Sequence, residues 1–262
     1  MTLATHTAKE QTIKLGTLGI RLLSGGSGKP LLLLHRDIGN PGWLPFHDAL
    51  AAAAAVYLPD QPGFGKSDRP DWARDVRDLA SLNLWLLQEI GAQEVDVVGL
   101  GFGGWIAAEM ATMAHGRIRK LVLVSPAGIQ PKEGEIVDQF LMSSRNYVKS
   151  MFADEKHYNQ LYGSEPGLDQ MEAWEIAREM TTRIAWKPYM FNRRLPALLG
   201  GFKNPALIIW GKQDKVIPPV CGEQYKAALP NARLETLENC GHCAEVDKAK
   251  ETAALITKFL AA

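Results

Sequence analysis

Residues 96–109 read DVVGLGFGGWIAAE: an apolar run enters a glycine-rich turn and leaves as a helix. Gly99, Gly101 and Gly104 fit the dinucleotide pattern G-x-G-x-x-G. Those glycines bring a helix N-terminus close to a pyrophosphate. Gly99, Gly101 and Gly103 equally fit G-x-S-x-G, the strand–turn–helix elbow that exposes a nucleophile, except that glycine stands where serine is required. Context separates the two readings. A dinucleotide turn follows the first strand of its unit and has an Asp or Glu about 20 residues on, for the ribose hydroxyl. This turn follows a later strand, and the next one, KLVLVSPAG, ends at Ser125 where the acid is expected. The elbow reading survives.

Outward from the elbow, short apolar runs recur at Ile20–Leu23, Leu31–Leu34, Val56–Leu58, Val95–Val98, Leu121–Val124, Ala206–Trp210 and Arg233–Leu237. Bounded by Gly, Pro or Asp, they read as strands buried on both faces. Val76, Leu79, Leu82 and Leu86 recur at helical spacing, as do Ile106, Met110 and Met113. Strands alternating with helices imply an α/β fold with a mostly parallel central sheet flanked by helices. The linker Ser24–Pro30 contains Gly28-Lys29, but no glycine lies five positions before Gly28 and Pro30 replaces the Ser or Thr of a phosphate loop. It is a turn.

The alternation stops from about Gly128 to Gly201. One amphipathic helix is expected over Ile136–Phe152 and another over Leu168–Thr181. A long insertion between sheet strands suggests a helical cap over a site. The expected division is therefore a core of residues 1–127 and 202–262 and a cap of residues 128–201. Trp105, Trp174, Trp186, Tyr189, Met190 and Phe191 are candidates either to line a pocket under it or to fill the core.

The 262 residues carry 29 basic and 29 acidic side chains, leaving no basic surplus for a nucleic-acid backbone. The start, MTLATHTAKEQ, lacks the apolar region of a secretory signal, and the run from Leu50 to Leu58 is too short to span a bilayer. Three cysteines imply a reduced compartment or no dependence on disulfides. The expectation is a cytoplasmic monomer or homodimer with a small-molecule substrate, no membrane or nucleic-acid partner, and no metal or cofactor motif.

Further motifs join the elbow in a fixed order. Leu31-Leu32-Leu33-Leu34-His35 is followed by Pro59-Asp60-Gln61-Pro62-Gly63-Phe64-Gly65-Lys66-Ser67-Asp68, then by the elbow. Ile208-Ile209-Trp210-Gly211-Lys212-Gln213-Asp214 and Cys240-Gly241-His242 come after it. In this order the chain resembles the α/β-hydrolase superfamily from about Ile20 to its C-terminus. The resemblance implies Asp214 as the acid, His242 as the base and residue 101 as the nucleophile position. It also implies an oxyanion hole from the backbone N–H groups of Asp37 and Phe102, with His35 a structural hydrogen-bonding residue. Arg36 departs from the glycine usual after that histidine. Cys240-Gly241-His242-Cys243 also matches C-x-x-C, but only the last 19 residues follow it, too few for a thioredoxin-like domain.

Glycine has no side chain to attack with, so no acyl-enzyme forms at residue 101. Three readings remain. The first is a hydrolase of a small, largely apolar carbonyl compound (ester, lactone or C–C diketone) in which His242 activates water; lyase or isomerase proton transfer is a variant of it. The second is an inactive small-molecule-binding homologue. The third is a serine hydrolase whose nucleophile was replaced by glycine. On sequence grounds, restoring serine at residue 101 is expected to create a nucleophile in place.

Overall fold

A computed structural model describes residues 8–262. The reading of the N-terminal segment falls partly on residues 1–7, outside the described residues. The chain runs through β1 (Lys9–Leu15), β2 (Leu18–Gly25), β3 (Pro30–Leu34), α1 (Pro45–Ala51), β4 (Ala55–Pro59), α2 (Val76–Glu89), β5 (Val95–Leu100), α3 (Phe102–Met113) and β6 (Ile118–Val124). A short 3-10 turn (Gln139–Leu141), α4 (Ser144–Ser150), α5 (Glu155–Tyr162), α6 (Leu168–Ala185) and α7 (Leu195–Leu199) come next. The chain returns to the sheet with β7 (Ala206–Gly211), α8 (Val220–Ala228), β8 (Ala232–Leu237), α9 (Ala244–Asp247) and α10 (Ala249–Ala261).

The strands form one eight-stranded sheet in the order β1-β2-β4-β3-β5-β6-β7-β8. Pairing is antiparallel from β1 to β4 and parallel from β4 to β8. The central strands β5 and β7 are buried at every position, because helices cover both faces. One apolar layer packs α2 and α3 on one face, and a second packs α1 and α10 on the other.

All seven expected strands are present, and β1 is added. Its sequence, KEQTIKL, is mostly exposed or half-buried, so an edge strand leaves no apolar run to read. The single helix expected over Ile136–Phe152 is not found. Asp138 caps the 3-10 turn by accepting from Phe140 N–H, and Ser143 caps α4 by accepting from Asn146 N–H. Two caps inside one apolar pattern divide it. The second helix begins at Leu168 as expected and extends to Ala185.

Parallel strands that end together leave a crevice beyond their carboxyl ends. His35 follows β3, Gly101 follows β5, Asp214 lies beyond β7 and His242 beyond β8. The elements between β6 and β7 reach that end. The Met151 carbonyl accepts from Cys243 N–H at 3.0 Å, and Tyr147 Oη donates to Asp37 Oδ2 at 2.7 Å.

Candidate active site

The elbow is built from close approach and one unusual torsion. At Gly103 a Cβ would lie 2.3 Å from the Leu34 carbonyl oxygen, so only glycine lets α3 start so near β3. Gly101 sits at φ +52° and ψ −114°, a left-handed conformation that disfavours residues with a Cβ. Its N–H donates to Val124 O at 2.9 Å and its carbonyl accepts from Gly104, Trp105 and Ala127 N–H, which ties the turn to β6 and α3. Phe102 is the first residue of α3, so its N–H belongs to the donors a helix leaves unpaired. The Asp37 N–H likewise finds no acceptor among the described residues.

Asp214 and His242 are brought together across 28 residues of sequence. His242 Nδ1 lies 2.8 Å from Asp214 Oδ2, with both side chains buried. Asp214 Oδ1 accepts from the N–H groups of Val216 and Ile217 at 2.8 and 2.9 Å, so the carboxylate is held at both oxygens. His242 Nε2 faces the elbow, 2.9 Å from where a Cβ on Gly101 would stand. Asp247 fastens the loop beneath the ring by accepting from Gly241 N–H at 2.7 Å, Ala153 N–H at 2.8 Å and His157 Nδ1 at 2.7 Å. His242 is thereby tied to the inserted helices as well as to the sheet.

His35 has a different task. Its Nδ1–H donates to Arg36 O at 2.6 Å, and its Nε2 accepts from Gln61 N–H at 2.8 Å. Both ring nitrogens are committed, and burial pushes its pKa down against the raising pull of Asp60.

Sequence reasoning noted Arg36 only as a departure and did not find its partner. The Arg36 side chain turns inward over Gly101. Its Nε and Nη2 donate to Glu245 Oε1 and Oε2 at 2.7 and 2.6 Å, a two-pronged pair with both side chains buried. Burial alone would lower the arginine's pKa and raise the glutamate's. Mutual attraction more than offsets this in both, and the pair stays charged. The remaining nitrogen, Nη1, is buried without a partner among the described residues and lies 2.7 Å from the position of a Gly101 Cβ. The one available signal was Glu245 itself, three residues after His242 at the start of α9.

Serine therefore does not simply fit at residue 101. A Cβ there would lie closer than 3.0 Å to both Arg36 Nη1 and His242 Nε2. The expectation of a ready-made nucleophile is corrected on that ground. The cysteines offer no substitute. Cys221, Cys240 and Cys243 are free and buried, and burial pushes the first two thiols up to about 12 and raises the third well above its ordinary value.

A cavity of about 30 Å³ adjoins Arg36 and Glu245, walled by Leu33, Leu44, Leu58 and Leu100 and by Phe152, Leu161 and Tyr162 of the insertion. None of the six aromatic and methionine candidates lines it. Trp105, Trp174 and Met190 are core, and Trp186 is half exposed.

Comparison with known proteins identifies the family. A family model described as the alpha/beta hydrolase family matches residues 31–255. The chain is 28% identical to a 2-hydroxymuconate semialdehyde hydrolase of Pseudomonas sp. (strain CF600), over 93% of this chain and 91% of that protein. It is 30% identical to a 2-hydroxy-6-oxononadienedioate/2-hydroxy-6-oxononatrienedioate hydrolase of Dechloromonas aromatica (strain RCB), over 97% and 95%. Among solved structures, a meta-cleavage product hydrolase from Pseudomonas fluorescens IP01 superposes with a TM-score of 0.81 at 20% identity, covering 95% of this chain and 97% of that one. Among the described residues no helix is long and apolar enough to cross a membrane. With the sheet order, the elbow and the matched family model in agreement, the chain belongs to the α/β-hydrolase family.

Proposed function

We propose that this protein is a hydrolase of small, largely apolar carbonyl compounds that uses water in place of a serine nucleophile. The observation that carries this reading is the Asp214–His242 pair, intact at 2.8 Å and aimed at a Gly101 that has no side chain. Asp214 holds the Nδ1–H, which leaves the Nε2 lone pair free to take a proton from water. As that proton moves to Nε2, the water oxygen bonds to the substrate carbonyl carbon and the C=O electron pair shifts to oxygen. The N–H groups of Phe102 and Asp37 stabilise that oxyanion. The C=O then re-forms, the bond to the leaving group breaks, and the leaving group takes the proton back from His242. The sum is substrate plus water giving a carboxylic acid and a protonated leaving group.

The relatives' names describe hydrolysis of unsaturated oxo acids, which supports a carbonyl substrate. An ester, a lactone or a C–C diketone offers such a carbonyl. Residues 128–201 act as a cap that keeps bulk water from the reaction. The Tyr147–Asp37 and Ala153–Asp247 contacts support that role. Arg36 occupying the nucleophile's space supports a glycine matched to its surroundings rather than a bare deletion.

The test is a kinetic panel of aryl esters, lactones and ring-cleavage diketones on the wild type and His242→Ala. Turnover that His242→Ala abolishes is the expected result. Ligand binding without turnover by either protein would overturn the reading in favour of a small-molecule-binding homologue.

A further inference from the structure

We propose that the cavity between α2 and the segment after α6 binds a phosphate group, free or as a small monoester, through Arg77, Lys187 and Arg194. It shares no lining residue with the cavity beside Arg36, and it does not depend on the hydrolytic reading.

The cavity measures about 140 Å³, roughly the volume of four or five liquid waters and enough for a phosphate. Asp75, Arg77 and Glu109 stand on the core side, and Lys187, Asn192 and Arg194 come from the insertion. Three cations therefore meet two carboxylates, and both carboxylates are already turned to donors of the protein itself. Glu109 is fully buried. Its Oε1 accepts from Trp105 Nε1 at 3.1 Å and Asn192 Nδ2 at 2.7 Å, and its Oε2 from Arg77 Nη1 at 2.7 Å. Asp75 Oδ1 caps α2 by accepting from Arg77 and Asp78 N–H at 2.9 and 3.2 Å. The cations are not matched in the same way. Arg77 Nη1 is anchored on Glu109 and on Thr112 Oγ1, which fixes the guanidinium and leaves the edge formed by Nε and Nη2 without an acceptor among the described residues. It is with this edge that Arg36 grips Glu245. Unlike that of Arg36, the Arg77 side chain is 31% exposed, so a ligand can reach it. The Lys187 and Arg194 side chains are exposed and likewise have no acceptor among the described residues.

These donors select the occupant. Lysine and arginine side chains only donate, so the ligand must accept at several atoms and carry negative charge. The free edge of Arg77 fits two oxygens of one anion. A carboxylate gives both its oxygens to that edge, whereas a phosphate has two more to turn toward Lys187 and Arg194. Pro188 and Phe191, which also line the cavity, offer an apolar surface to an ester substituent. Because Arg77 belongs to α2 and the other two cations to the insertion, a phosphate held between them links the two parts and stabilises the fold by mass action.

The test is isothermal titration at low salt with inorganic phosphate, phenyl phosphate and acetate, beside an NMR titration. The NMR signal to follow is the Trp105 indole N–H, which donates to Glu109 at the cavity wall. Saturable phosphate binding that moves this signal and exceeds acetate binding is the expected result. Phenyl phosphate binding tighter than inorganic phosphate assigns a monoester; otherwise the ligand is the free anion. Lys187→Gln/Arg194→Gln alters exposed side chains and should weaken phosphate binding by roughly tenfold or more. Arg77→Lys keeps a cation beside buried Glu109 but removes the two-donor edge, and should weaken binding by a similar factor. Lys250→Gln/Lys258→Gln removes the same charge from α10 and should leave binding unchanged. No saturable binding below roughly 10 mM phosphate, equal affinity for acetate, or an unmoved Trp105 signal would overturn the proposal. So would unchanged binding in Lys187→Gln/Arg194→Gln, or equal weakening in the α10 variant.

Discussion

Placing a serine at the elbow is the sharpest probe of how tightly residue 101 and Arg36 are matched. In Gly101→Ser the new Cβ would stand 2.7 Å from Arg36 Nη1 and 2.9 Å from His242 Nε2, both closer than Cβ atoms tolerate. His242 is held by Asp214 and Arg36 by Glu245, so neither yields freely. The backbone adds its own cost, about 1–3 kcal/mol for a side chain held at φ +52°. Driving the guanidinium off Glu245 would add the cost of breaking a buried ion pair, about 3–5 kcal/mol. Partial yielding lies between these limits, so a loss of roughly 3–5 kcal/mol is expected in denaturant unfolding. The clash also denies the introduced hydroxyl the contact with Nε2 that would activate it. Gly101→Ser alone should therefore neither show a burst with an activated ester nor label with a serine-directed phosphonate. Adding Arg36→Gly and Glu245→Leu clears the space and should make the introduced serine label, which mass spectrometry of the adduct would detect. A single Gly101→Ser variant that labels readily at near-wild-type stability would refute the reasoning.

Asp214→Asn should keep the fold and cut turnover by about 10⁴-fold, as expected when the ring loses its anchored tautomer; steady-state kinetics on the best substrate checks it. Acid stability should depend on His47, whose pKa burial pulls down to about 4 although Glu245 and Asp48 raise it. A base whose folded pKa lies below its unfolded value near 6.5 contributes no penalty above that pH and loses stability as pH falls from there toward about 4. The shift corresponds to roughly 3 kcal/mol, and His47→Gln should flatten unfolding free energy over that window. A titration as steep in the variant as in the wild type would refute the assignment. Cys221, Cys240 and Cys243, with thiols pushed up by burial, should resist a disulfide reagent in the native state and react in full on denaturation. Insulin reductase activity, or a Cys240–Cys243 disulfide under non-reducing conditions, would count against that.

The sequence by itself determined the α/β architecture, because the information needed was local. PLLLL at β3, VDVVGL at β5 and ALIIWG at β7 read as strands buried on both faces, and only a sheet with helices on both sides buries them so. The succession of short motifs that carries Gly101, Asp214 and His242 was equally legible. Local capping at Asp138 and Ser143, and the polar edge strand β1, were present in the sequence too, but apolar periodicity does not report them. What only the tertiary structure decided is what fills the space left by the glycine. Arg36 and Glu245 are 209 residues apart, and nothing in either neighbourhood encodes the other. They meet because the parallel strands β3 and β5 end side by side and α9 folds back from beyond β8, which sets a guanidinium over a residue with no side chain. Local pattern follows from backbone geometry and the burial of individual side chains. Convergence of three distant segments on one buried point follows only from the closure of the whole sheet.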